Sequence, residues 1–383
     1  MTCEEPRVEL IVVQPTPFCN INCSYCYLPA RDNKSVIAHS TIVNLFAKLF
    51  ETGWIDQVAT VIWHAGEPMV LPVAFYRQAF EAIEALRPDG TTLIHSFQTN
   101  GMLLTQEWCD FAKEWKVQIG VSVDGPQAQH DLHRVTRSGH GTFDKTIAGI
   151  RLLRREGVPF HTISVLSHDS LDRPDEMFEF FAAEGVEHVC FNVEETEGQH
   201  VSGLTASGDE VARYRAFLRR FWELARSTGR VPYLREIDGL IPTIFRPADT
   251  PVRNNQIEPF GMVNVDCHGN VSSFSPELLG YRNAEYDDFL VGNVNVDSFA
   301  TMRARLAASA LQRDIAVGVA ACRATCEYFS VCGGGAPVNK LSENGSFRST
   351  RTMFCALTQM APVDVVLASV NEFEHGLEVP AVA

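Results

Sequence analysis

The stretch Cys19-Asn20-Ile21-Asn22-Cys23-Ser24-Tyr25-Cys26-Tyr27 constrains this chain more than any other. Three thiolates separated by three and then two residues can close round one face of an iron–sulfur cube, which has four irons to ligate. No fourth cysteine follows within eighty residues, so one iron is left open for a small molecule. Zinc is the competing reading. Zinc sites usually pair two-residue spacings with a nearby Cys or His, and the nearest histidine here is His39.

At 383 residues and 45% hydrophobic, the chain can bury a large core as one big domain with a smaller appendage. Its opening has no basic region followed by an apolar run, and no stretch approaches the roughly eighteen apolar residues of a membrane span. A cytoplasmic protein without a membrane partner is expected. Eleven cysteines, an odd number without a signal peptide, point to metal ligation or burial rather than disulfides. A net charge of −15 argues against nucleic-acid binding, which needs clustered Lys and Arg.

Apolar and β-rich runs at Val8–Val13, Ala59–Trp63, Thr91–Gln98, Val117–Val123, Phe160–Val165 and His188–Val193 alternate with helical periodicity at Ser40–Glu51, Val73–Leu86, Gln106–Trp115, Phe143–Glu156 and Asp175–Glu184. Strict alternation predicts parallel βαβ units in an α/β fold, a curved sheet or partial (β/α)6 TIM-like barrel, with ligands at the carboxyl ends of its strands. Leu204–Arg230 reads as a charged amphipathic helix. A hairpin turning at His268-Gly269-Asn270 marks the start of a second unit. The expected division is a barrel over 1–200, a helical bridge over 201–260 and a cysteine-rich unit with a C-terminal helix over 261–383.

The Cys19/Cys23/Cys26 spacing, with Tyr25 just before the third cysteine, resembles the radical S-adenosylmethionine (SAM) superfamily. In that family the open iron binds SAM through its amino and carboxylate groups, and one electron from the cluster cleaves SAM to a 5′-deoxyadenosyl radical. His64-Ala65-Gly66-Glu67-Pro68 resembles the family's Gly-Gly-Glu-Pro motif for the SAM amino group, with Ala65 for the first glycine, a change that bears on any positive φ required there. Gln98-Thr99-Asn100-Gly101, Ser122-Val123-Asp124-Gly125-Pro126 and His130-Asp131-Leu132-His133-Arg134 resemble the peptide-modifying branch, which includes the anaerobic sulfatase maturases. The resemblance implies SAM contacts from Tyr25, Ala65, Gly66, Glu67, Pro68, Gln98, Asn100, Ser122, Arg134 and Asn192, with Ser122 at the ribose or methionyl group and Arg134 at the carboxylate.

Further on, Cys322-Arg-Ala-Thr-Cys326-Glu-Tyr-Phe-Ser-Val-Cys332-Gly-Gly-Gly and Cys355 supply four thiolates, enough for one fully ligated cluster or a tetrahedral zinc. The run resembles the SPASM extension of radical SAM peptide maturases, which usually has seven cysteines and two auxiliary clusters. Here Phe274 and Ala336 stand where two of those cysteines are expected. Both losses fall on the first auxiliary cluster, which implies two [4Fe–4S] clusters in all. Cys3, Cys109, Cys190 and Cys267 read as small buried hydrophobes.

The segment Cys326 to Lys340, with Glu343-Asn-Gly-Ser-Phe347, resembles the maturases of glycine-rich-repeat peptides among the cyclophane-forming enzymes. The implied activity is that of an oxidoreductase which removes a β-hydrogen from a ribosomal precursor peptide and joins that carbon to an aromatic side chain, served by a low-potential donor such as flavodoxin or ferredoxin. Asp287 is the expected base, with Asp288 beside it as the alternative. Formylglycine formation in a sulfatase, a thioether crosslink, and a non-enzymatic zinc-bearing peptide binder are the rival readings. No separate amino-terminal recognition module is expected, which leaves leader binding to the barrel or the bridge.

Overall fold

The first strand, β1 (Leu10–Val13), is Leu-Ile-Val-Val and pairs with neighbours on both sides, so it reads as a continuous apolar run rather than an alternating one. The computed structural model describes residues 5–198, 200–204, 208–247 and 249–374. After β1 come β2 (Val58–Trp63), β3 (Thr92–Thr99), β4 (Gln118–Ser122), β5 (Phe160–Leu166) and β6 (His188–Val193), each parallel to the strand before it. The helices His39–Thr52, Val73–Leu86, Gln106–Trp115, Phe143–Arg155 and Pro174–Ala183 return the chain between them. The alternation read from the sequence is therefore the architecture.

Within the barrel, among the described residues, one α-helix escaped that reading. Gln127–His133 follows β4, and its seven largely polar residues give no apolar stripe. It is held from outside its own turn, because Asp131 accepts hydrogen bonds from the backbone N–H groups of Thr142 and Phe143.

The helix Val73–Leu86 buries Val73, Tyr76, Phe80 and Ile83, the spacing of one face of a 3.6-residue period. That face meets Trp63, Phe97, Trp108 and Phe111 in an aromatic wall in which Phe80 stacks on His95 at 3.9 Å between ring centres. Truncating Phe80 to alanine would cost about 3–5 kcal/mol. The wall fixes β2 and β3, whose carboxyl ends carry Glu67 and Asn100.

Beyond β6 lies β7 (Tyr233–Leu234). On the other flank, β8 (Met262–Val265) runs parallel to β1 with Met262 opposite Leu10, followed by antiparallel β9 (Asn270–Ser273) and β10 (Gly292–Asn293). The ten strands form one sheet in the order β10-β9-β8-β1-β2-β3-β4-β5-β6-β7. The hairpin turns where expected, at Gly269 with φ +84° and Asp266 accepting from the His268 and Asn270 N–H groups. The sheet, however, has no break at residue 261. The free edge of β1 has unpaired backbone groups that β8 satisfies, so the C-terminal unit grows out of the barrel sheet.

The helix Gly208–Thr228 packs Phe217 and Phe221 onto Phe191 and pairs Arg213 and Arg220 with Asp172 and Asp175 outside. The expected C-terminal helix is Ala361–Glu374. Cys109, Cys190 and Cys267 are buried as expected, and Cys3 lies outside the described residues. Among the described residues, no helix is long and apolar enough to cross a membrane.

Candidate active site

The carboxyl ends of the parallel strands open onto a cavity of about 270 Å³. Cys19, Cys23 and Cys26 line it from the loop after β1, and each later strand adds side chains: His64, Gly66 and Glu67 after β2, Gln98 and Asn100 around the end of β3, Ser122 from β4, Val165 from β5 and Asn192 from β6. The cysteine loop is pinned to the segment behind it. Asn22 N–H donates to the Val135 carbonyl (2.7 Å), Ser24 N–H to that of His133 (3.0 Å), and Arg137 Nε to that of Cys19 (3.0 Å). Burial pushes the Cys19 thiol up to about 12 and the Cys23 thiol to about 11, so both release protons only when a metal takes their place.

Gly66 lies against this loop. A Cβ there would stand 2.1 Å from the Thr16 carbonyl oxygen, and its φ is +145°, so no other residue fits. Ala65 does adopt the positive φ (+65°) that its replacement of glycine called into question, and its carbonyl accepts from Gln14 Nε2 at 2.7 Å. Glu67 is buried, and burial raises its carboxyl to about 6. It accepts from Thr99 Oγ1 (2.7 Å), Asn100 N–H (2.8 Å) and Met69 N–H (3.0 Å), three donors against the roughly four sites a carboxylate offers. One acceptor site remains for a ligand ammonium.

Three expected contacts differ from their expected roles. Ala65 and Pro68 do not line the cavity: Ala65 is wholly buried behind Gly66, and Pro68 opens a 3-10 turn whose carbonyl accepts from Tyr76 Oη. Arg134 does line it, but Nε and Nη2 hold Asp124 at 2.9 and 3.1 Å, which leaves Nη1 facing the Cys23 sulfur at 3.9 Å. Its planar fork is thus engaged by Asp124 and is not open to a ligand carboxylate. Asp124 also accepts from Tyr25 Oη (2.5 Å) and Val165 N–H (2.9 Å). Burial alone would raise that carboxyl, but the Arg134 guanidinium holds it below the usual carboxylate range.

Asp287 is not at the cavity. It sits exposed in a segment turned by three successive residues of positive φ, Asp287, Asp288 and Phe289, which bury Tyr286 and Phe289 and leave the Asp287 carboxylate in solvent. Its alternative, Asp288, is taken by Arg282 at 2.7 Å. Besides Glu67, the acidic groups that do line the cavity are Glu194, Glu195, Glu197 and Glu277. Burial raises the last three, and repulsion from neighbouring carboxylates adds to it at Glu195, pushed up to about 7, and at Glu197, raised well above the carboxylate range. Glu195 and Glu197 hydrogen-bond each other, and Asn339 Nδ2 donates to Glu195 Oε2 at 2.8 Å. Only their place just after β6 could have marked Glu195 and Glu197 in the sequence, and Glu277 carried no signal.

A second cavity of about 300 Å³ is lined by Cys322, Cys326, Cys332 and Cys355. Among the described residues, no three His, Cys, Asp or Glu side chains converge closely enough to hold a single metal ion. The four thiols line one cavity and supply enough ligands for a cluster or for zinc. The expected losses are also in place, because Phe274 and Ala336 are buried apolar residues with no ligating atom.

A family model described as the Radical SAM superfamily matches residues 13–181. An uncharacterised protein of Synechocystis is 39% identical over 367 residues, covering 95% of this chain and 92% of its own. The chain carries a radical SAM domain. The serine-type anaerobic sulfatase-maturating enzyme of Bacteroides thetaiotaomicron is 32% identical over 53% of this chain, and that of Klebsiella aerogenes 27% over 59%. These alignments span 51% and 58% of the two enzymes' lengths. Among solved structures, anSMEcpe with bound AdoMet and Cp18Cys peptide matches with a TM-score of 0.76 at 18% identity, covering 97% of this chain and all of that one. Streptococcus suis SuiB bound to its precursor peptide SuiA matches at 0.62 and 13%, covering 91% and 76%.

The cavity suits the radical SAM cofactors on its own chemistry. Three thiols face it without a fourth, Glu67 keeps an acceptor site, and Gly66 lets a ligand approach the backbone. Two buried lining atoms, His64 Nδ1 and Tyr27 Oη, have no hydrogen-bond partner. Orphaned polar atoms of this kind mark where a ligand or ordered water completes a site.

Proposed function

We propose that this protein is a radical SAM maturase of a ribosomal peptide, forming a carbon–carbon crosslink between an aromatic ring and a nearby β-carbon. The observation that carries the reading is the pairing of two thiol-lined cavities, one with three cysteines among polar strand-end residues and one with four cysteines alone. When bound, SAM and the cluster at Cys19, Cys23 and Cys26 supply hydrogen-atom abstraction, and a cluster at the other four cysteines supplies a one-electron acceptor.

The chain's own groups do the rest. Glu67 offers its remaining acceptor site to the SAM ammonium, and the Asp124–Arg134 pair fixes Tyr25 and the Cys23 side of the loop. Ser122, which lines the cavity, is held by Gln98 Nε2 donating to its Oγ at 2.9 Å. Ring closure also releases a proton. The Glu195–Glu197 pair replaces Asp287 as its acceptor, since a carboxylate near 7 is a working base at neutral pH. Burial of the surrounding lining excludes water from the reacting carbon.

The second reading, oxidation of a sulfatase residue to formylglycine, is favoured by the sulfatase-maturing relatives. The absence of cysteine at positions 274 and 336 favours the first. Anaerobic co-expression with a small peptide encoded beside the gene separates them. A loss of about two hydrogens per ring, abolished by Cys23→Ala, with fragmentation locating a carbon–carbon bond, supports crosslinking. An unchanged peptide with an iron-loaded enzyme that instead converts a sulfatase peptide supports the second.

A further inference from the structure

The helix Pro337–Asn344 follows the triple glycine after Cys332, and two adjacent residues on it contact lining residues of different cavities. Asn339 reaches Glu195. Lys340 turns the other way: it is 1% exposed, its stem passes within 3.7 Å of a Cβ built at Gly335, and its ammonium lies 3.2 Å from the Cys322 sulfur. Among the described residues, that sulfur is its hydrogen-bond partner.

Burying an ammonium away from any anion is costly. Arg134 shows the usual remedy, since it too approaches a cluster cysteine but gives its charge to Asp124. Lys340 has no matching carboxylate among its described contacts, so its positive charge is left to the thiolates of the second site. Reduction of a cluster adds a negative charge to a group already carrying four thiolates. A desolvated cation and an N–H···S hydrogen bond both stabilise that reduced state, and burial keeps the interaction unscreened.

We infer that Lys340 is a positioning residue that donates to the Cys322 thiolate and raises the reduction potential of the cluster held by Cys322, Cys326, Cys332 and Cys355. The inference rests on the reading that those four cysteines hold a cluster. Its consequence is an asymmetry between the two sites. Arg134 at the first is paired with Asp124, whereas Lys340 at the second has no such carboxylate among its described contacts, so Lys340 favours reduction of its cluster more than Arg134 does.

The test uses a protein with Cys19, Cys23 and Cys26 all changed to Ala, so that only the second cluster reports, titrated potentiometrically with spectroscopic detection. Lys340→Met should shift the one-electron reduction equilibrium at least tenfold toward the oxidised form, about 59 mV for such a couple, and Lys340→Arg should restore most of it. Lys340→Gln, which keeps a donor without charge, reads the same quantity should the Met variant fail to load iron. An iron-loaded Met or Gln variant with the parental potential overturns the inference, as does an Arg variant shifted as far as Met. A parent protein without iron fails the cluster reading itself, a result distinguished from the others by iron content alone.

Discussion

Replacing Asp124 with asparagine tests the centre of the first site. Four donors converge on the two carboxylate oxygens: Tyr25 Oη, Arg134 Nε, Arg134 Nη2 and Val165 N–H. An amide offers one oxygen with two lone pairs and puts an NH2 group where the other oxygen was, so two donors lose their acceptor. Orphaned buried donors cost about 1–3 kcal/mol each, which gives about 2–6 kcal/mol, and breaking a buried ion pair from one side costs about 3–5 kcal/mol. At about 2 °C per kcal/mol for a large chain, Asp124→Asn should lower the Tm of the iron-loaded protein by about 6–10 °C. The carboxyl is held below its unfolded value, so this stabilisation is present above about pH 4 and fades as pH falls through the folded value. Anaerobic thermal melts at pH 7, with and without 1 M salt, give the measurement, and the shift should survive salt because the pair is buried. The double variant Asp124→Leu with Arg134→Met should recover only the part owed to the unpaired guanidinium, because Tyr25 Oη and Val165 N–H still lack an acceptor. A single-variant shift under about 2 °C would falsify the account.

At Gly66, alanine should abolish SAM binding, measured by equilibrium dialysis on protein that still holds its iron, because of the 2.1 Å approach to Thr16. For Glu195, whose carboxyl sits near 7, turnover should rise with pH through about 7, and Glu195→Gln should erase that limb and slow turnover by about 10²–10⁴; an unchanged pH profile would remove Glu195 as the base. Iron analysis should find about eight irons per chain, and Cys322→Ala should lose about half of them while leaving SAM cleavage partly intact. Retention of all the iron would contradict that ligand set.

The barrel was legible because β1–β6 and their helices differ in period, 2 against 3.6, and the chain keeps to one or the other. The two groups of cysteines that line the cavities were legible because their spacing stands in the sequence itself. The acid trio was not. Glu195, Glu197 and Glu277 come from two loops more than seventy residues apart, and what distinguishes them from the many other carboxylates is burial, which only the fold supplies. Asp287 failed for the complementary reason: it was read by counting back from Gly292, and three left-handed residues, beginning with Asp287 itself, redirect the chain. Arg134 was placed at the right cavity, but its engagement by Asp124 depends on the helix Gln127–His133, which has no periodicity to read.

Asn339 and Lys340 also bear on how such a protein can change. Neighbouring residues on a helix point about 100° apart, so one short helix serves two sites only at a single rotational setting. Inserting one residue among Gly333, Gly334 and Gly335 would turn both side chains off their targets together. Glu195 and Cys322 would lose their partners in the same step, though they belong to different cavities. The C-terminal unit is therefore not a module to be exchanged freely between barrels: a chimera joined near this helix should work only where the length of the glycine loop is kept.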